Sequence, residues 1–387
     1  MIKNSVIILF AALFIISCSD APTSIGINIL DNDLVDLKTI NSADDSIAQG
    51  SSYFHDVVSL GSSNRLLLGK SKDIEASILI SYNISLDDSI LSDILEDSIT
   101  VVSAVMEFYK TYSFGDTLAP FDFTVHKVNS EWASDFSEDS LSGFLYDGED
   151  ISIQKEITDT TTYVTIKNEL IRDWLAVVAD TSLPSQNGVY LIPTPGTEKI
   201  LGYQALTSSL TDYPVISVVI EKSGVYVDTV EFYSSSDLSI VVGEVPTVSG
   251  GNIPLRSGYV VVSKLFFNLQ EFPKDAVVNN AELVLNIDTL ETFVGTDYSD
   301  AVDAYFLYDS TNTDSISSTV ASLSRSGNQY SGNITAFVRE WIRNNNNGLL
   351  LTTGSPLAGA ELIAIKGSNS ANLSDRPLLK ITYTVKK

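Results

Sequence analysis

The sequence contains one cysteine, two histidines and three tryptophans in 387 residues. A single thiol excludes an internal disulfide framework. With only His55 and His126 available, a His-based triad or a His-rich metal cluster lacks its parts, and each is read as a packed or surface side chain. Basic residues are scarce as well, 23 Lys and Arg against 49 Asp and Glu, for a net charge of −26. Nucleic acid is thereby excluded as a partner, because its binding energy comes mainly from Lys and Arg on phosphates. The same charge weighs against a polyanionic polysaccharide, and it keeps a secreted surface soluble. The metalloprotease motif HExxH, the nucleophile elbow GxSxG and the phosphate-cradling GxxxxGK[ST] are all missing. Carboxylates are too abundant for any one pair to be singled out as a glycosidase site. No catalytic residue and no cofactor is expected, and the chain is read as a non-enzyme.

Long apolar runs are also missing. Ser5 to Ile16 is too short to span a bilayer, but behind Lys3 it has the form of an export signal over residues 1–17. Ile15-Ile16-Ser17-Cys18 resembles the lipobox of bacterial lipoproteins, in which the Cys is acylated and becomes the new N-terminus. Cys18 is the only Cys, and attachment is the role left to it. Each buried CH₂ contributes about 0.8 kcal/mol, so the two or three chains that this resemblance implies would anchor the protein durably. Loss of residues 1–17 removes Lys3 and no acid, leaving 22 basic against 49 acidic residues, a mature charge of −27. Residues 18–48, rich in Asp, Ser and Asn, are read as the lipidated N-terminus and a tether.

What is present in quantity is short Val, Ile, Tyr and Phe runs separated by Gly, Asn, Asp and Pro, the pattern of an all-β protein. A distinctive unit recurs. Ile334, Phe337, Val338, Trp341 and Ile342 fall on one helical face, Asn347-Gly348 follows as a helix stop, and Leu349-Leu350-Leu351 begins a strand. Its echo runs Leu170, Ile171, Trp174, Leu175 and Val178, then Asn187-Gly188 and Val189 to Ile192. Trp174 and Trp341 are 167 residues apart, Ala104 and Ala281 177, and Pro214 and Pro377 163, offsets close enough in one order to indicate duplication. In this reading Val225 to Tyr233 matches the strand Tyr53 to Leu60, and Leu238 to Gly243 matches Asn64 to Lys70. The expected architecture is two tandem antiparallel β-sandwich domains of jelly-roll type, residues 49–223 and 224–387, each with one short amphipathic helix.

The helix with its Trp, Asn347-Gly348-Leu349-Leu350 and the terminal Arg376-Pro377-Leu378-Leu379-Lys380-Ile381-Thr382-Tyr383 are similar to the DNRLRE domain family. The first copy diverges, with Tyr213-Pro214 in place of Arg-Pro and His126 where Tyr is usual. The run from Ile25 to Leu30 and on to Gly69-Lys70 resembles a group of large Gram-negative outer-membrane lipoproteins. The resemblance implies extracellular β-sandwich modules, some of them carbohydrate-binding modules attached to polysaccharide lyases. The family's basic binding residues do not map onto this acidic chain, so the fold is carried over and the site is not.

Two functional readings follow. In the first, the chain is a non-catalytic envelope lipoprotein that holds an extracellular ligand, a neutral glycan, with avidity from the tandem copies. In the second it is a structural or assembly lipoprotein whose partners are the membrane, through its anchor, and other envelope proteins. Tyr298, Tyr305 and Tyr308, with Phe144 and Tyr146 in the other copy, are the candidate stacking surfaces, although Tyr equally suits half-buried strands. Asp309, Asn312 and Asp314 offer oxygens at the spacing of a calcium loop, against which stands a plain polar turn. An aromatic platform flanked by polar groups on one exposed sheet face separates binder from spacer. The expected location is the bacterial outer membrane, with the domains facing the periplasm or the exterior.

Overall fold

The structure is a computed structural model that describes residues 35–43, 47–180, 182–206, 212–312 and 314–386. The expected signal sequence and Cys18 lie outside the described residues. As the short β-branched runs predict, the described residues are mostly strand, in two large antiparallel sheets with three short helices among them. Among the described residues no helix is long and apolar enough to cross a membrane.

In chain order, β1 (Val35–Asn41) and β2 (Gln49–His55) precede the strands of a first lobe. These are β3 (Arg65–Ser71), β4 (Ile74–Asn83), β5 (Thr100–Gly115), β6 (Phe123–Lys127), β7 (Ser152–Ile157), β8 (Thr161–Ile166), β9 (Val189–Pro193), β10 (Lys199–Gln204), β11 (Val215–Lys222) and the 18-residue β12 (Tyr226–Gly243). The second lobe holds β13 (Ile253–Arg256), β14 (Val261–Phe267), β15 (Val277–Asn286), β16 (Ala301–Leu307), β17 (Ile316–Ser326), β18 (Gln329–Asn333), β19 (Leu349–Thr353), β20 (Leu362–Ile365) and β21 (Leu378–Lys386). Each sheet folds over on itself. Pairing of β10 with both β3 and β5 closes the first, and bridges Ile287–Ile365 and Phe293–Leu362 draw the second together. Each therefore encloses a core of its own, sandwich fashion.

The same pairing pattern occurs twice. In the first lobe β5 lies between β11 and β8, β9 joins β4 to β6, and β3 joins β4 to β10. In the second, β15 lies between β21 and β18, β19 joins β14 to β16, and β13 joins β14 to β20. One position differs in origin. The first lobe fills it with the single strand β12, whose opening half pairs with β11 and whose remainder pairs with β4. The second lobe fills it with two strands from the far N-terminal side, β1 on β21 and β2 on β14.

Sheet membership therefore crosses the expected boundary at 223/224. Residues 226–243 complete the first lobe, and residues 35–41 and 49–55, the former read as tether, complete the second. The expected match of Val225–Tyr233 with Tyr53–Leu60 and of Leu238–Gly243 with Asn64–Lys70 is corrected accordingly. The counterpart of β12 is β1 with β2, and the counterpart of β3 is β13. Periodicity shows that a strand exists, while its partner is chosen by long-range pairing that a local pattern does not encode.

Three helices fill the ends of the cores. The first, α1 (Asp88–Leu95), belongs to the first lobe alone and packs beside α2 (Asn168–Ala179). That helix buries Leu170, Ile171, Trp174 and Leu175, and α3 (Thr335–Arg343) buries Phe337, Val338 and Trp341. Gly348 does not stop α3, which ends at Arg343 with Asn344 as an extended cap. Instead Gly188 and Gly348, at φ +85 and +88, stand at the entrances of β9 and β19. A Cβ at Gly188 would meet the Ile80 carbonyl oxygen at 1.9 Å, and one at Gly348 the Leu265 oxygen at 2.4 Å.

A third core joins the lobes. Leu60, Leu67, Ile74, Tyr112, Phe114, Ile200 and Val241 meet Tyr259, Val261 and Ala360. Around it, the Tyr112 hydroxyl donates to Glu361 Oε1 at 2.8 Å and accepts from the Ala360 N–H at 2.9 Å. Arg256, only 1% exposed, donates to the Lys72 carbonyl in the β3–β4 turn.

Candidate functional site

The five aromatic candidates are not brought together. Phe144 closes over the outer side of the first sheet with Phe136 and Tyr190, and Tyr146, 41% exposed, lies at the rim of this group, with ring centroids 5.0 to 6.2 Å apart. This is why β4 is buried on both sides, where simple alternation predicts one core-facing side. Tyr305 is half-buried with Phe54 and Val58 on the outer side of the second sheet, and Tyr308 is exposed beside Phe306. Tyr298 lines a polar cleft of about 260 Å³ between the lobes, together with Arg65, Asp297, Ser299, Ser355 and Glu361. Its hydroxyl accepts from Arg325 Nη1 at 3.0 Å. In that cleft Arg65 is already committed, donating to the Ala358 carbonyl oxygen at 2.7 Å and to Asp297 Oδ2 at 2.9 Å.

The calcium candidates are turn residues. Asp309 Oδ1 accepts from both the N–H and the hydroxyl of Thr311, each at 2.8 Å, and Asn312 Oδ1 accepts from the Asp314 N–H at 3.0 Å. Among the described residues no cluster of three or more His, Cys, Asp or Glu could hold a metal ion. Both histidines have partners. His55 stacks on Tyr259 with centroids 3.7 Å apart and lies 3.3 Å from Glu138 Oε1, and burial lowers its pKa. His126 Nδ1 is 2.9 Å from the Asp147 carbonyl oxygen, and its Nε2 is 2.7 Å from Thr124 Oγ1.

The platform is elsewhere, on the open side of β7, β8, β5, β11 and β12. Strand alternation sends Met106, Phe108, Val164, Ile216 and Phe232 inward, so their neighbours point out. Register then aligns the outward side chains in rows across the sheet. One row reads Glu156, Tyr163, Glu107, Val215, Tyr233, and the next reads Gln154, Thr165, Val105, Ser217, Glu231. Tyr109 follows Glu107 on the same side of β5, and Tyr213, at the entry to β11, meets Tyr233 edge-on with centroids 6.2 Å apart. Four tyrosines and three glutamates thus share one exposed face, and neither row contains Lys or Arg.

The tyrosines are held in place by their own strands. Tyr109 donates its hydroxyl to Glu107, and Tyr233 donates to Glu231, two residues back in each case. That hydrogen bond is the first cause of the raised pKa of both phenols, which stay neutral donors. A shallow depression of about 320 Å³ opens beside Tyr163, lined by Val105, Gln154, Glu156 and Thr165. The equivalent face of the second lobe has no aromatic group, carrying Thr39, Thr382 and Asn280 in one row and Lys380, Glu282 and Asn333 in another. The expected avidity from two like copies has no counterpart there, because the duplication preserved the core and not this face.

Sequence reasoning passed over these residues although a signal was available. Glu107-Phe108-Tyr109 and Glu231-Phe232-Tyr233 are the same tripeptide, each read by alternation as core Phe between an outward Glu and an outward Tyr. What the tripeptide does not reveal is that β5 and β12 flank the same strand, roughly 9 to 10 Å apart. No protein-family model and no curated protein matches the chain.

Proposed function

We propose that this is a non-catalytic, lipid-anchored protein of the cell envelope that holds a neutral glycan on the tyrosine face of its first lobe. The observation that supports this reading is the open sheet face with Tyr109, Tyr163, Tyr213 and Tyr233 interleaved with Glu107, Glu156 and Glu231. Aromatic rings cover the apolar faces of sugar rings, and carboxylates accept from sugar hydroxyls. The absence of basic groups from both rows, with the net charge of −26, disfavours a polyanion. A flat face several strands wide suits an extended chain more than a small molecule enclosed on all sides.

Retention of the intact chain on immobilised neutral polysaccharides is the direct test. Tyr163→Ala and Tyr233→Ala should each weaken retention by about five- to tenfold, or about 1 to 1.5 kcal/mol, with little dependence on salt. Both side chains are partly exposed, so the fold should survive. Retention on none of a broad neutral panel would favour the structural or assembly lipoprotein, and release of reducing sugar would defeat both readings. The anchor is tested separately. Cys18→Ser should leave an unprocessed precursor or a soluble form, and unchanged partitioning into detergent would remove the lipid from the proposal.

A further inference from the structure

Two strand edges are left open, one in each lobe, and they occupy equivalent places in the duplicated fold. β1 pairs with β21 alone, and the opening of β12, residues 226–232, pairs with β11 alone. Among the described residues no strand lies along the other side of either stretch. Register aligns the two residue by residue. Ile40 faces Ile381 and Val230 faces Val218, while Ile381 and Val218 in turn face Ala281 and Ala104. Counted back from that pair, Lys38 matches Asp228, Leu37 matches Val227 and Val35 matches Val225. The four apolar side chains are 55 to 70% exposed and lie outside every core. Two copies that differ over the tyrosine face thus agree in exposing an apolar pair beside an open edge. Such an edge offers a row of N–H and C=O groups to another strand, and a charged side chain is the usual guard against it. Here the guards have opposite signs. β1 and β21 carry Lys38, Lys380 and Lys386 against Asp36, whereas β11 and the opening of β12 carry Glu221, Asp228 and Glu231 against Lys222. Like edges repel, and unlike edges attract.

We propose that the edge of β1 in one copy of this chain pairs with the opening edge of β12 in another, so that copies join head to tail through a continuous sheet. Backbone hydrogen bonds hold the added strand, as in other cases of strand addition, and the contact covers Leu37 and Val227. Lys38 and Asp228 select the partner. Pairing β1 with β1 brings Lys38 of both copies together, and pairing β12 with β12 does the same for Asp228 and Glu231. Because the two edges are different surfaces, a pair of copies still has one of each to offer, and the series continues past the dimer. The contact uses its own elements and does not rest on the glycan reading of the tyrosine face.

Residues 19–387 retain every described strand and lack Cys18, so association measured on them is independent of lipid. Sedimentation velocity should give a mass that rises with concentration beyond the dimer and falls with added salt. Leu37→Asp and Val227→Asp should each weaken self-association at least tenfold at an unchanged melting temperature, since both side chains are exposed. Mixed, the two variants should form a complex of one copy of each and nothing larger, because each supplies the edge that the other has lost. Lys38→Glu and Asp228→Lys should each weaken association as well, and both changes in one chain should restore it. Tyr163→Ala should leave it unaltered, so that failure of the glycan reading leaves this outcome standing. The proposal is overturned by a monomer at every concentration, by undiminished self-association of Leu37→Asp or Val227→Asp, or by failure of their mixture to associate.

Discussion

Asp237 is an acid placed where an acid is costly. It lies buried in β12 just past a break in register between Ser234 and Ser236, where its carboxylate accepts from the Leu206 N–H at 2.7 Å and from the Ser234 hydroxyl. Burial outweighs those two hydrogen bonds and pushes its pKa up from 3.8 to about 6. The folded state then binds more protons than the unfolded chain between about pH 4 and pH 6, so stability falls as pH rises through that window and is level above it. Asp237→Asn keeps an oxygen for Leu206 and removes the charge. It should raise the melting temperature at pH 7.5, by up to about 3 kcal/mol of stability, and change little at pH 4. A melting temperature at pH 7.5 no higher than that of the parent would show that the ionised group is better solvated than its burial implies.

At the scale of the element, the repeated helix-to-strand unit works because a glycine lets one backbone lie against another. Gly188 and Gly348 combine a positive φ with contact distances that no Cβ tolerates, each against a carbonyl of the strand that β9 or β19 must pair with. Gly188→Ala or Gly348→Ala should therefore cost about 1 to 3 kcal/mol from the backbone conformation, with displacement of the strand added. Chemical denaturation with amide exchange on β9 and β19 would measure it, and an exchange pattern like that of the parent would show the contact to be dispensable. The sequence announces both glycines, since each follows Asn and precedes a buried apolar run. It misassigns their task, because a positive φ is legible from Asn-Gly, whereas the surface that the glycine approaches is not.

At the scale of the molecule, the exchange of strands makes each lobe depend on the other's stretch of chain. A cut between residues 223 and 224 removes β12 from the first sheet and leaves β1 and β2 without the lobe they complete. Fragments 49–223 and 224–387 should be aggregation-prone, each with an unpaired edge and an open core. A fragment of residues 56–243 retains every strand of the first sheet. It should unfold cooperatively, although with the shared core around Tyr112 and Tyr259 exposed. Thermal unfolding by circular dichroism compares them, and cooperative melting of 49–223 equal to that of 56–243 would mean that β12 is dispensable. The crossing chains and the buried Arg256 and Glu361 also tie the two lobes together.

By itself the sequence determined the all-β class, the presence of two copies and the two buried tryptophan helices, because periodicity and turn chemistry are local properties of the chain. Export and lipidation at Cys18 were read from the same local order and remain proposals. Only the tertiary structure decided which strands belong together, and with that which outward side chains share a face. Tyr109, Tyr163, Tyr213 and Tyr233 are scattered over 125 residues, from 109 to 233, and become neighbours through the register of β8, β5, β11 and β12. The outward tyrosines contribute little to burial, so no hydrophobic pattern marks them. Their arrangement is a by-product of pairings enforced by the core-facing residues between them.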